Sequence, residues 1–342
     1  MRGALVIGYS SEETTRPHIQ ALFSKTGNDM QRDECEGGKA MKVLCAIDGS
    51  QLSLWGVDAL GSLFHPSITD VILLHVIDTT PLKAPIRRGK AVAEPTKKVM
   101  KAMESGAKSI LKISKNRLNT ALSQSVTKPF VDIHPVLARG HAASTIIREV
   151  EKQQPDVVII GSRGLQDITG YLVGSVSRKV LSYAPSAVLT VKEPIPVPVH
   201  AVLAVDGSNA SKRAANALGV WMAPEVMTLH VLSVVPSMLT DIAPKVLPKK
   251  HLKALMEPFE QRAQEVARSF RQVFLKDGFK VTAEVLQGNP REVILHCLQK
   301  RKADLVVLGS KGLTGSERFQ MGSVSEWVTA YAPCSSLVAR PH

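Results

Sequence analysis

The sequence predicts two α/β domains in tandem, each an open parallel sheet with helices on both faces. Three observations carry this reading. Strand-sized apolar runs alternate with segments of helical periodicity, the pattern of parallel strands joined by right-handed crossover helices. A motif recurs: Gly161-Ser162-Arg163-Gly164, nine residues, then Gly174-Ser175 returns as Gly309-Ser310-Lys311-Gly312, nine residues, then Gly322-Ser323. Finally, 342 residues exceed one ordinary core, since domains average ~100–150 residues. A repeat of such long period is a duplicated domain rather than a solenoid.

The elements follow in order. Residues 1–40 mix Gly, Glu, Thr, Asp and Lys without sustained periodicity, and read as a mobile extension or an over-called start. Met41 to Ile47 is the first strand, closed by the turn Asp48-Gly49-Ser50; a helix follows over 51–63, then a strand from Asp70 to Ile77. After Pro95, Met100, Met103, Ala107, Ile110, Leu111, Leu118 and Leu122 recur at three-to-four spacing as one helical stripe. Lys97, Lys101, Lys108, Lys112 and Lys115 share the opposite side. Phe130 to Leu137 is the third strand, Ala142 to Gln153 a helix, and Asp156 to Ile160 the fourth strand, which runs into the first glycine motif. A helix starts at Ser175 and the fifth strand is Ala187 to Val191, so residues 41–192 form one domain.

Glu193-Pro194-Ile195-Pro196-Val197-Pro198 then interrupts the pattern, because repeated prolines remove donors and hold the chain extended. Residues 193–198 are the linker and 199–342 the second domain. Ala201 to Ser208 repeats the first strand and its Asp-Gly-Ser turn, and Thr228-Leu229-His230-Val231-Leu232 aligns with Leu73-Leu74-His75-Val76-Ile77. Leu255, Phe259, Ala263, Val266, Phe270 and Val273 give the long second helix of this half its apolar stripe.

Composition removes several classes of function. The longest apolar runs fall far short of the ~20 residues that span a bilayer, and no signal-peptide core precedes them. A cytoplasmic protein is expected. Cys35, Cys45, Cys297 and Cys334 show no CxxC pairing and no histidines at metal spacing, which suits reduced structural thiols. The net charge of +13 is concentrated between Lys83 and Arg117, where eleven Lys or Arg face only Glu94 and Glu104. The Lys97–Lys115 side is read as a solvated face. Its rival is docking to an anionic partner, and no RNA-recognition aromatic pair or zinc finger marks a specific nucleic-acid site.

The glycine motifs carry the chemistry. In open α/β sheets ligands lie beyond the carboxyl ends of the strands, near the switch in strand order. This brings Asp48 beside Gly161, and Asp206 beside Gly309. A helix starting at Ser175 or Ser323 offers free N–H groups and a positive dipole end to phosphate. Glycine removes the Cβ that would block that approach. The aspartates double as helix-capping residues. His75 and His230 read as strand packing, and His141 and Asn289 as turn residues near the ligand side.

With these residues in view, the chain resembles a tandem universal stress protein of the ATP-binding subgroup, through its G-x2-G-x9-G-S motif. The resemblance covers about 41–192 and 199–340. It implies five-stranded parallel sheets of order 3-2-1-4-5 and ATP at the strand ends, with Mg2+ held through the phosphates. It also implies pairing of the two domains through their fifth strands; further homodimerisation is left open. By position, Asp48 and Asp206 would contact adenosine, and Val76 and Val231 the adenine through backbone. Gly161, Arg163, Gly164, Gly174, Ser175 and Val176, with Gly309, Lys311, Gly312, Gly322, Ser323 and Val324, would hold ribose and phosphates.

One departure separates the copies: the nine-residue loop carries Asp167 in the first and Arg318 in the second, so the second is expected to bind ATP more tightly. The implied function is an ATP-binding stress-response regulator acting through conformational or assembly change. No P-loop lysine motif, hydrolytic base or catalytic residue stands out. A slow ATPase or nucleotide-transferring enzyme, and a scaffold with vestigial sites, remain the alternatives.

Overall fold

The computed structural model describes residues 41–63, 68–80, 93–124, 131–164, 173–236, 249–312 and 321–340. The first half runs β1 (Met41–Ala46), α1 (Gln51–Leu63), β2 (Ile68–Ile77), α2 (Ala93–Gln124), β3 (Asp132–Arg139), α3 (Ala142–Gln153), β4 (Val157–Gly161), α4 (Ser175–Tyr183) and β5 (Ala187–Val191). The second runs β6 (Val199–Val205), α5 (Asn209–Trp221), β7 (Met227–Pro236), α6 (Lys249–Lys276), β8 (Lys280–Gly288), α7 (Pro290–Arg301), β9 (Leu305–Gly309), α8 (Ser323–Tyr331) and β10 (Ser335–Ala339).

Within each half every strand pair is parallel, in the order 3-2-1-4-5 that the resemblance implied. The halves do not form two separate sheets. β5 and β10 pair antiparallel, with Leu337 opposite Leu189 and Ser336 opposite Thr190, giving one ten-stranded sheet. β4 and β5 are buried at every residue, as expected of parallel strands covered on both faces. Pro135 lies in β3, an edge strand, where its missing N–H removes no ladder bond on the open side.

The two faces are packed differently. On one, α1, α2, α5 and α6 cover a single apolar core that crosses the junction, containing Leu60, Leu118, Leu189, Leu218, Phe274 and Leu337. On the other, α3 and α4 cover one cluster around Val150, Val158 and Val180, while α7 and α8 cover another around Leu298, Val306 and Val328. The stripe expected on α2 is observed: Ala107, Leu111 and Leu118 are buried while Lys97, Lys101, Lys108 and Lys112 are exposed. On α6 most of the expected stripe is observed: Ala263, Phe270 and Val273 are buried and Val266 packs against the core, while Leu255 and Phe259 near its start are 41% and 48% exposed and Met256 is buried there instead.

Because Leu337 is fully buried in the core that both halves share, Leu337→Ala should cost about 2–5 kcal/mol of unfolding free energy. Urea denaturation followed by circular dichroism measures it.

Candidate functional site

The two glycine motifs form the same hydrogen-bonded cradle. β4 ends at Gly161, and Ser162 N–H donates to Val191 O at 2.7 Å, tying the loop to the end of β5. The Ser162 carbonyl accepts from Gly174 N–H at 2.7 Å. In the second half Ser310 N–H donates to Ala339 O at 2.9 Å, and its carbonyl accepts from Gly322 N–H at 2.7 Å. The hydroxyls of Ser177 and Ser325 then reach back from the first helical turn to Gly161 O and Gly309 O, each at 2.6 Å. These four serines went unremarked at the level of sequence, although the serine two places after each Gly-Ser pair recurs and could have been noticed.

Gly174 and Gly322 are the N-caps of α4 and α8, both extended and without a side chain to cap the first turn. The first-turn amides are therefore left for another acceptor, as an anion site at a helix N-terminus requires. A Cβ on Gly322 would lie 3.2 Å from Ser310 O and 3.3 Å from Lys311 Cα, so the cradle has no room for a side chain there. Gly309 is tighter still: its Cβ would meet the Ala210 backbone at 2.5 Å, where α5 starts. At Gly161 the corresponding distances to Leu52 and Ser53 of α1 begin at 3.0 Å.

The aspartates close each cradle from the neighbouring strand. Asp48 Oδ1 accepts from Ser50 N–H and Asp206 Oδ1 from Ser208 N–H, each at 2.9 Å, across glycines at φ +86° and +78°. The aspartates therefore close the turns, and the capping expected of them is done by Ser50 Oγ and Ser208 Oγ, which accept from Ser53 N–H and Ser211 N–H. The second oxygen, Asp206 Oδ2, lies 3.0 Å from where a Gly312 Cβ would stand, so Asp206 and the glycine loop do converge. Arg163 and Gly164 are exposed and Lys311 is half-buried at the rim. Val176 and Val324 pack against the cores beneath α4 and α8.

One candidate is misplaced by the sequence alignment. Ala46 pairs with Leu74, and the corresponding Ala204 pairs with Leu232. The position equivalent to Val76 is therefore Val234, three residues beyond Val231. Val231 lies mid-strand between Leu203 and Ala283, fully buried on the opposite face, and cannot meet a ligand at the strand ends. Two apolar strands that each contain a histidine had suggested the wrong register. His75 is not the counterpart of His230 either; it adjoins the first cradle, donating Nδ1–H to Ile47 O at 2.8 Å. Burial lowers its pKa against the raising effects of that bond and of Asp48.

The first site gains further titratable neighbours from the ends of β2 and β3. Burial raises the Asp78 pKa, but hydrogen bonds from Thr80, the charge of His141 and the Ala142 amide more than offset this and hold it low. In the second site Asn289 replaces His141 and caps α7 through Arg291 N–H at 3.1 Å. Asp167 and Arg318, on which the expected difference in affinity rests, lie outside the described residues. Within the helix starts the charges run the other way, with Arg178 in α4 and Glu326 in α8.

The matching model is that of the Universal stress protein family, at residues 39–192 and again at 200–340. The chain belongs to this family. A universal stress protein of Methanocaldococcus jannaschii is 33% identical over 144 residues, 41% of this chain and 80% of its own length. One from Thermus aquaticus is 34% identical over 143 residues, 41% of this chain and 96% of its own. The crystal structure of a universal stress protein from Archaeoglobus fulgidus shares the fold at a TM-score of 0.60 and 19% identity. That alignment covers 88% of this chain and 98% of that one.

Two outcomes are expected from this geometry. Gly309→Ala should cost about 1–3 kcal/mol by overpacking against α5, and more than Gly161→Ala, as read by urea denaturation of both. His230, whose Nδ1 lies 2.8 Å from Thr282 Oγ1, is held near pKa 4 by burial and by Arg301. An unfolded chain takes up that proton first as pH falls, so stability present above the ordinary value of 6.5 is lost on the way down to 4. The loss should be on the order of 1–3 kcal/mol. In His230→Gln, unfolding free energies between pH 7 and 4.5 should fall correspondingly less.

Proposed function

We propose that this universal stress protein is an ATP-binding stress-response regulator with one site per half, signalling through a change of conformation or assembly. The observation that carries the reading is the duplicated cradle, in which a helix N-terminus without a side-chain cap faces a glycine loop where a Cβ at Gly161, Gly309, Gly312 or Gly322 would meet its neighbours at 3.2 Å or less. Gly161, Arg163, Gly164, Gly174, Ser175 and Val176 hold the ribose and phosphates in the first site. Gly309, Lys311, Gly312, Gly322, Ser323 and Val324 do so in the second. Asp48 with Val76, and Asp206 with Val234, serve the adenosine, and Mg2+ is held through the phosphates. The two domains, 41–192 and 199–342, are joined by the linker 193–198. Three buried free thiols, Cys45, Cys297 and Cys334, suit a reducing cytoplasm.

Regulation is favoured over rapid hydrolysis because, among the described residues, each cradle supplies donors for phosphate, and the aspartate beside it accepts from a backbone amide of its own turn, Ser50 N–H or Ser208 N–H. Binding at the loops would bias the conformations available to the protein by its differential affinity for them.

Nucleotide released from freshly purified protein should be ATP. ADP would move the reading to a slow ATPase, and an empty protein that binds no added ATP would overturn it. By calorimetry, Gly174→Val and Gly322→Val should each remove one of two binding equivalents, and the double variant both. Full stoichiometry in the double variant would exclude these cradles.

A further inference from the structure

Each phosphate-facing helix is held at its far end by the other half of the chain. Lys192, the first residue after β5, extends its Nζ to the C-terminus of α8, donating to Thr329 O at 2.8 Å, Ala330 O at 3.2 Å and Ala332 O at 2.7 Å. Arg340, the first residue after β10, donates through Nη2 to Leu181 O at the C-terminus of α4. The two positions correspond across the repeat. Antiparallel pairing of β5 with β10 carries each strand end under the opposite helix.

These are buried cations with carbonyl partners. Arg340 is 6% exposed. Burial lowers Lys192 to about 8 and Arg340 to about 10, so both remain charged at neutral pH. The neighbouring Cys334 thiol is pushed up to about 12 and is neutral, which leaves the helix carbonyls as the partners of Lys192. A cation at a helix C-terminus completes the dipole whose other end faces the phosphates. α4 packs on α3 and α8 on α7. Between α4 and α8 lies a cleft of about 290 Å³ lined by Arg178, Leu181, Ser182, Trp327, Ala330 and Tyr331.

We infer that Lys192 and Arg340 are positioning residues for the nucleotide site of the opposite half. The inference rests on the proposed nucleotide sites. Lys192 fixes the axial position of α8, and with it the amides at Ser323 and Val324; Arg340 does the same for α4, Ser175 and Val176.

The test is crosswise. In the Gly174→Val background only the second site reports, and Lys192→Met should weaken ATP binding about tenfold, the scale of a favourable partly buried charge at a helix terminus. Lys192→Arg should restore it. In the Gly322→Val background, where only the first site reports, Lys192→Met should change affinity by less than about twofold, while Arg340→Leu weakens it. Without nucleotide, amide exchange should rise along α8 in Lys192→Met and along α4 in Arg340→Leu. Equal weakening of both sites by one substitution, or unchanged affinity at the opposite site, overturns the inference. Failure of the unsubstituted chain to bind ATP is a separate result, which removes the underlying reading before any variant is compared.

Discussion

The antiparallel pairing of β5 with β10 is the constraint on which the rest of the molecule depends. It joins two five-stranded sheets at the edges that would otherwise expose open ladders, and thereby removes two of the four edges. It places Leu189 against Leu337, extending one apolar core across the junction. The same pairing sets the crossing of Lys192 and Arg340 beneath the opposite helices.

The junction is apolar on one face and mixed on the other. Alternation along β5 and β10 sends Leu189, Val191, Leu337 and Ala339 to the shared core. Thr190, Ser336 and Arg340 take the face that carries α4 and α8. There Val338 lies opposite Val188 and joins the first half's cluster, which stays separate from that of α7 and α8, and Thr190 Oγ1, Ser336 Oγ and Arg340 Nε are buried without hydrogen-bond partners. Each such group costs about 1–3 kcal/mol relative to a paired one. A face built only for stability would have used aliphatic residues at these three positions.

Most of the fold was legible because it depends on local pattern. Strand-sized apolar runs, the Asp-Gly-Ser turns and the duplicated glycine motif each report on a few neighbouring residues, and the sheet order and helix starts agree with them. What failed depends on register. Val231 was paired with Val76 through a histidine in each strand, whereas ladder pairing makes Val234 the counterpart. A shift of three residues along a strand changes the face as well as the depth, so Val231 passes from the ligand side to the core. The stripe on α6 departs only near its start, where Leu255 and Phe259 are exposed and Met256 is buried. Ser162 and Ser310 were inside the motif yet unread, because their contribution is made by backbone groups that every residue has. Lys192 and Arg340 were unreadable for a further reason: their partners lie more than a hundred residues away, on helices of the other copy.

Duplication explains why such a crossing can be asymmetric. In a pair of identical chains the two contacts would be forced to match, one residue type capping both helices. Joined in one chain, the positions have diverged. Lys192 makes three bonds to carbonyls of α8, while Arg340 bonds Leu181 O and keeps a buried Nε without a partner. A point-charge ammonium satisfies several converging carbonyls, and a guanidinium presents a fixed fork that one carbonyl cannot fill. α8 is consequently the more fully anchored of the two helices. The first site also has His75, Asp78 and His141 near its strand ends, while Asn289 takes the place of His141 in the second. The two copies have kept one cradle geometry while differing in what holds it and what surrounds it, which is the condition for two sites on one chain to respond differently to the same ligand.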